Sequence, residues 1–267
     1  MSFSFATVVE ALQLSPRLRR ISLQVENAAA LAIPPGADAA VGVYFDPESP
    51  GEGRNYSVRR HAGDLIDLDV VLHASGPGTT WAANTAAGDR VGVDHARSWY
   101  RPPPGADWQL LVTDLSGLPA TARILEELPR AIATVAVVEV ADHHDLDYLP
   151  TRAGVTVVSS LGTGNGFGPS QLATLVRQLA LPAAGYCWFA GEAAQSREVR
   201  KHLRGNGWTI DQYDVTGYWR LDSETWDAKF ALVEGDVLAV YERALADGKG
   251  DKVASEEFDD ALERAGL

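Results

Sequence analysis

The hydrophobic rhythm of this chain changes once, at Arg101-Pro102-Pro103-Pro104-Gly105, and that change limits what the chain can fold into. Before it, Ile21, Leu23 and Val25 alternate with Ser22, Gln24 and Glu26, and Ile66, Leu68 and Val70 alternate with Asp67 and Asp69. A period of two is that of a strand with one buried and one wet face. Turn signals at Pro34-Pro35-Gly36, at 47–53 and at Ala62-Gly63-Asp64 separate these runs, which predicts an antiparallel barrel or sandwich. After it, unbroken apolar runs at 108–113, 134–140, 155–159 and 186–190 alternate with segments of helical spacing at 118–128, 169–179 and 194–204. Strand–helix alternation predicts a parallel sheet with crossover helices, in which ligands bind at the carboxyl ends of the strands. A last strand is expected at 209–215. The stiff proline segment is the candidate linker, dividing the chain into 1–103, 104–220 and a tail from 221 to 267.

The tail is a helical, acidic appendage. It holds 13 acidic and 5 basic residues, a net charge of -8 out of -13 for the whole chain. Trp226, Phe230, Val233, Val237 and Tyr241 fall on one helical stripe, too apolar to leave in water, so the tail should dock on the preceding domain or on a second subunit. A monomer and a homodimer are both compatible with that pattern. Ser255, ahead of Glu256 and Glu257, reads as the cap of a short last helix. The net charge makes nucleic acid and anionic membrane poor partners. No apolar run approaches the length of a membrane span and the start lacks a signal-peptide pattern, so the cytoplasm is the expected location. The single cysteine, Cys187, sits in an apolar run and reads as a core residue. It cannot supply the ligands of an iron–sulfur cluster.

Five segments could carry chemistry. In Arg54-Asn55-Tyr56-Ser57, a cation and an aromatic ring share one face of a strand and a hydroxyl takes the other. These suit a phosphate, a flat ring and a ring nitrogen, though an ordinary barrel strand reads the same way. His73-Ala74-Ser75-Gly76-Pro77-Gly78-Thr79-Thr80 leads from a strand into a short helix. Glycines that admit backbone N–H groups, a helix N-terminus and two threonine hydroxyls make it a pyrophosphate cradle or a capped turn. The run 161–168 carries glycines at 162, 164, 166 and 168 but has Phe167 where a dinucleotide fingerprint needs its third glycine. A flexible loop with Pro169 opening a helix is the better reading. Gly191-Glu192-Ala193 ends a strand, where Glu192 could meet a ribose hydroxyl or start the next helix. Gly217-Tyr218-Trp219-Arg220 offers aromatics either to a ligand or as a plug at the joint with the tail. His143-His144-Asp145 reads as a wet loop and not as a metal site.

Taken in order, Arg54-x-Tyr56-Ser57, His73 with Gly76-Pro77-x-Thr79-Thr80-Trp81, Gly88-Asp89-Arg90-Val91, Asp114 with Leu118-Pro119-Ala120, Gly191-Glu192-Ala193 and Gly217-Tyr218-Trp219-Arg220 resemble the siderophore-interacting protein family over residues 3–220. The resemblance implies an antiparallel FAD-binding β-barrel followed by a parallel-sheet NAD(P)H-binding domain, with the helical tail added. It implies FAD contacts from Arg54, Tyr56, Ser57, His73, Gly76, Gly78, Thr79 and Thr80. Asp114, Gly191, Glu192 and Ala193 would line the cleft for NADPH or NADH, and Trp219 or Tyr218 would border the flavin. The family often has a Gly-Pro-x-Gly turn where this chain has Asp94-His95-Ala96-Arg97. The implied activity is reduction of a ferric siderophore, with Arg97 and Arg101 as contacts for an anionic complex. No residue is assigned as an acid, base or nucleophile, because the flavin supplies the chemistry. The alternatives are a flavin oxidoreductase of the same fold with a protein or organic acceptor, and a non-catalytic binder that retains FAD.

Overall fold

Residues 3–48, 53–129 and 131–267 are described by a computed structural model, with only the backbone given for 223 and 224. The turn expected at 47–53 falls partly on residues 49–52, outside the described residues. Six strands, β1 (Ser4–Ser15), β2 (Leu18–Val25), β3 (Ala40–Tyr44), β4 (Gly53–Ala62), β5 (Leu65–Val71) and β6 (Arg90–Arg97), close into an antiparallel barrel in the order β1-β2-β5-β4-β3-β6. The alternating residues Ile21, Leu23, Val25, Ile66, Leu68 and Val70 all point into its core. Helix α1 (Ala28–Leu31) follows β2, and α2 (Pro77–Asn84) covers one end of the barrel with Trp81 and Ala82.

The second half is a five-stranded parallel sheet made of β7 (Trp108–Thr113), β8 (Ala133–Val140), β9 (Val155–Leu161), β10 (Tyr186–Glu192) and β11 (Tyr213–Trp219), in the order β11-β10-β7-β8-β9. Both faces of its inner strands are buried, which is why their sequences run apolar without alternation. Leu111, Tyr186, Trp188 and Ala190 face one layer, with α3 (Leu118–Glu127), while Leu110, Val112, Cys187 and Phe189 face α5 (Leu172–Arg177) and α6 (Ala193–Gly205). Three sequence expectations are corrected here. The last strand starts four residues later than 209, because Thr209 instead caps a 3-10 turn at Ile210–Gln212. The helix expected from Pro169 begins at Leu172. The 143–145 segment is no loop but a short helix, α4 (His143–Leu146), capped by Asp142 and Asp145.

The face of the barrel expected to be wet is exposed at Gln24 and Glu26, but around Asp69 it meets the sheet layer instead. Asp69 is buried and holds Arg20 through two 2.7 Å hydrogen bonds, while accepting the Tyr148 hydroxyl. Arg59 reaches across to Glu126 at 2.5 and 2.7 Å and to the Tyr148 hydroxyl at 3.1 Å. Arg17 binds Asp145 at 2.9 Å and also Asp142. Asp38, fully buried in the loop before β3, accepts from Ser98 Oγ at 2.5 Å, Trp99 N at 2.9 Å, Tyr100 N at 2.8 Å and Trp188 Nε1 at 3.1 Å. One carboxylate thus fastens barrel, connecting segment and sheet.

The tail forms two packed helices, α7 (Ser223–Ala246) and α8 (Asp251–Arg264), sharing Trp226, Phe230, Val233, Val237, Phe258 and Leu262. The stripe, expected to dock on the preceding domain or on a second subunit, packs instead against the tail's own second helix, and Tyr241 spends its hydroxyl on Asp251 at 2.6 Å. The last helix begins at Asp251 and not at Ser255, because Gly250, at φ 79°, provides the break. Its acidic face lies on the basic face of α6. Arg200 pairs with Asp259 at 2.6 Å, Arg204 with Glu256 at 2.5 Å and Lys201 with Glu263, while Lys252 reaches Asp214 on β11 at 2.9 Å. No helix among the described residues is long and apolar enough to cross a membrane.

Two substitutions measure these contacts by urea unfolding. Asp259→Ala strands the guanidinium of Arg200 and should cost about 1.5–3 kcal/mol, shrinking at high salt. Asp38→Ala removes the common acceptor of four buried or half-buried donors and should cost on the order of 3–5 kcal/mol with little salt dependence.

Candidate functional site

The chain runs from β7 outward through β8 and β9, then returns to the other side of β7 for β10 and β11. The reversal lies between β7 and β10, where an open parallel sheet leaves a crevice at its carboxyl ends. Asp114 follows β7 at this point and is wholly buried. It accepts from Ser116 N at 2.8 Å, Ser116 Oγ at 2.5 Å, Glu192 N at 3.0 Å and Trp219 Nε1 at 2.6 Å. Burial pushes its carboxyl up to about 6, against the opposing pull of these hydrogen bonds. Gly191 leaves room for it, since a Cβ there would come within 2.9 Å of Asp114 Oδ2. Glu192 caps α6 by accepting from Ala194 N at 2.8 Å and Gln195 N at 3.1 Å, and Ala193 is buried behind it. So Asp114, Gly191, Glu192, Ala193 and Trp219 do come together, but around a buried carboxylate that fixes the rim of the crevice.

The glycine-rich run forms the neighbouring rim and is pinned, contrary to the flexible loop expected. Buried Glu139 accepts from Thr163 Oγ1 at 2.8 Å and Gln171 N at 2.6 Å. Asn165, in the left-handed region at φ 54°, accepts the Leu115 N–H at 2.9 Å across the crevice. Neither Glu139 nor Asn165 stood out in the sequence, because a single acid at a strand end and an asparagine among glycines carry no pattern.

On the barrel side, Arg54 is exposed, Tyr56 is half-buried and Ser57 turns to the opposite side, as the strand period requires. The Tyr56 ring packs against Phe45 and Trp81, at centroid distances of 6.4 and 5.9 Å, and its hydroxyl abuts Gly78, where a Cβ would lie only 2.3 Å away. Gly76, at φ 121°, makes the turn into α2, and Pro77 starts that helix. Thr79 Oγ1 accepts the His73 N–H at 2.9 Å, and Thr80 is exposed on the first turn. Arg54, Tyr56, His73, Gly76, Gly78, Thr79 and Thr80 therefore border β4 and the N-terminal end of α2. Where the family often has a glycine turn, His95 sits at φ 52°, held by a 3.2 Å contact between its Nδ1 and the Tyr44 hydroxyl.

Three buried polar atoms gather between the halves. Ser57 Oγ, Tyr218 OH and Arg97 Nε are shut off from water with no hydrogen-bond partner among the described residues. The Tyr218 hydroxyl faces Ser57, and Arg97 adjoins Tyr218. Burial pushes the Tyr218 phenol up and the Arg97 guanidinium down, and no carboxylate among the described residues pairs with Arg97, which lies 5.1 Å over Trp99. Buried polar groups are ordinarily satisfied, and Tyr218 and Ser57 have each other within reach at the joint of barrel and sheet. Arg101 lies farther along, exposed, its backbone N–H bonded to Tyr186 OH at 2.8 Å. Arg220 stacks 3.8 Å over Trp226 and belongs to the joint with the tail. The half-buried Asp142 and the exposed His143 and His144 bring their ligand atoms within 4.8 Å of one another, but Asp142 already binds Arg17.

Comparison with known proteins agrees with this layout. A sequence model of the siderophore-interacting FAD-binding domain matches residues 34–97, and one of the siderophore-interacting protein matches residues 106–222. The chain is 29% identical over 188 residues to the ferric vibriobactin reductase ViuB of Vibrio cholerae, covering 65% of this chain and 66% of that one. It is 27% identical over 168 residues to the NADPH-dependent ferric-chelate reductase of Escherichia coli, covering 61% and 63%. A solved siderophore utilization protein from T. fusca superposes with a TM-score of 0.70 at 28% identity, over 83% of this chain and 94% of that one. With its FAD-binding barrel matched over residues 34–97 and its parallel-sheet half matched over residues 106–222, the chain belongs to the siderophore-interacting protein family.

Proposed function

We propose that this protein is a cytoplasmic flavin-dependent reductase that draws electrons from NADPH or NADH and delivers them to a ferric siderophore, releasing iron as Fe(II). The observation that carries the reading is the arrangement of Arg54, Tyr56, His73, Gly76, Gly78, Thr79 and Thr80 about β4 and the N-terminal end of α2, beside an open hollow lined by Phe45, Pro77, Thr80 and Trp81. FAD, when bound, accepts two electrons together and passes them on singly, which is what a one-electron acceptor such as Fe(III) requires.

The residues divide the work. Arg54 and the first turn of α2, with Gly76, Gly78, Thr79 and Thr80 beside His73, hold the phosphates through charge, the helix terminus and hydroxyl donors. Tyr56 offers its ring and Ser57 its hydroxyl to the flavin. Asp114 acts by position: it fixes Trp219, Gly191 and Glu192, so that the rim receiving the nicotinamide nucleotide is set before the nucleotide arrives. Arg97, a half-buried cation with no acidic partner among the described residues, and the exposed Arg101 favour an anionic ferric complex at the cleft mouth. Positive charge there, on a chain of net charge -13, also guides an anion toward that mouth. Hard oxygen donors hold Fe(II) weakly, so reduction is itself the release step.

The test is steady-state oxidation of NADPH and NADH with ferric chelates, quinones or free flavin as acceptor, with a colorimetric trap for Fe(II). The expected result is about two Fe(II) per nucleotide oxidised, because a hydride carries two electrons. Rapid quinone reduction without Fe(II) would favour an organic acceptor instead. Arg97→Gln should raise KM for an anionic ferric complex about tenfold, the worth of one charged hydrogen bond, while leaving FAD content unchanged.

A further inference from the structure

We propose that His95 is a proton donor to the ferric complex: its imidazole Nε2, held outward beside Arg97 by Asp94 and Tyr44, gives a proton to a siderophore oxygen as the iron is reduced. The proposal rests on the ferric-siderophore reading above and extends it to the class of ligand, one whose donor oxygens are basic, as in catecholates and hydroxamates.

Three features support it. The first is the backbone. Gly42 of β3 pairs with Asp94 of β6 and Ala40 pairs with Arg97, so His95 and Ala96 together stand opposite Val41 alone. That is a β-bulge, a device that re-aims side chains and gathers beside active sites. His95 is its left-handed residue, at φ 52°, a conformation that glycine adopts without strain and histidine does not. An imidazole held in a glycine's conformation points to a use for the ring.

The second is how the ring is held. Asp94 is buried. One of its oxygens accepts the His95 backbone N–H at 2.6 Å, and the other lies 3.3 Å from Nδ1. The Tyr44 hydroxyl lies 3.2 Å from the same nitrogen, and the Tyr44 ring rests against Phe3 with centroids 5.7 Å apart. With Nδ1 turned to the carboxylate, proton exchange falls to Nε2, which has no partner among the described residues and sits on a side chain 39% exposed. An acid–base histidine is ordinarily oriented in this way, one nitrogen bonded to a carboxylate and the other free. The third is the company it keeps. Arg97, two residues on, is the cation assigned above to the anionic complex, and the titratable and charged groups that bear on this rim are Asp94, Tyr44, Arg97 and Tyr218.

The chemistry balances. One electron from the proposed reductase reaction converts Fe(III) to Fe(II) and weakens its bonds to oxygen. As an Fe–O bond breaks, the proton on Nε2 passes to the freed oxygen, and the imidazole recovers a proton from water. Each iron thus takes one electron from the nicotinamide nucleotide, its ligand takes one proton from His95, and a protonated oxygen no longer competes for the metal.

The experiment compares the wild-type holoprotein with His95→Asn and His95→Gly. Asparagine tolerates the left-handed backbone, and glycine relieves its strain and so folds at least as well. Fe(II) release from the anionic ferric complex of catechol is measured against ferricyanide reduction by the same sample, since ferricyanide keeps its ligands and takes up no proton. Both substitutions should lower the catecholate-to-ferricyanide ratio of kcat about a hundredfold, the lower range of general-acid catalysis, and free imidazole should restore it in His95→Gly. The wild-type rate on the catecholate complex, divided by that of either variant, should fall toward one as pH rises, because an imidazole that has lost its second proton has none to give from Nε2. A catecholate-to-ferricyanide ratio that neither substitution lowers would overturn the proposal. So would a loss that is the same at every pH and that imidazole does not reverse, which is the mark of a packing residue. Wild-type protein that reduces ferricyanide but no ferric chelate would overturn the ferric-siderophore reading on which the proposal stands.

Discussion

One buried carboxylate sets the geometry of this molecule. Asp38 lies in the barrel, yet its four partners are in the connecting segment and in the central region of the sheet. A charge taken out of water is costly unless its hydrogen-bonding capacity is filled. The loop before β3, residues 98–100 and Trp188 must therefore keep one relative arrangement. Asp69 repeats the device on the other side of the joint with Arg20, Tyr148 and the neighbouring Arg59. Carboxylates on either side of the joint thus hold the two halves in one fixed arrangement.

The same economy governs the crevice at the end of the sheet. Asp114 is surrounded by donors from β10 and β11 as well as from its own turn, so it joins three strand ends that are distant in sequence. Glu139 and Asn165 do this for the glycine-rich run. Residues that look like ligands for a nucleotide thus spend their polar atoms on shaping the crevice.

The strands, the order of barrel and sheet, and the family motifs were legible in the sequence because each rests on local periodicity or on short spacing. Ile21, Leu23 and Val25 announce their strand without help from the rest of the chain. What was not legible depends on partners far away. Asp69 reads as a wet residue until Tyr148 is packed on it. Residues 162–168 read as a flexible loop because the pin, Glu139, precedes them by more than twenty residues. The late start of β11 follows from a capping box at Thr209 and Gln212 that competes with strand pairing. Tyr218 and Trp219 could be named as a pair, but dividing their roles required the register shift at Gly191 and Glu192, which appears only when β11 is laid beside β10. The tail's acidity was plain, while the reason for it, the basic face of α6, is spread over Arg200, Lys201 and Arg204 at helical spacing.

The interlocked joint also bears on how the chain is made. The barrel strands are all synthesised once residue 97 has left the ribosome, but at that moment Asp38 has neither the Trp99 and Tyr100 N–H groups nor the Trp188 indole, and Asp69 has Arg20 without Tyr148. The emerging barrel therefore carries a buried acid in search of donors for some ninety further residues. The interval ends when β10 takes its place beside β7. A newborn chain is for that time an acid-bearing half-protein, and its natural guardian against misassembly is the later half of its own sequence.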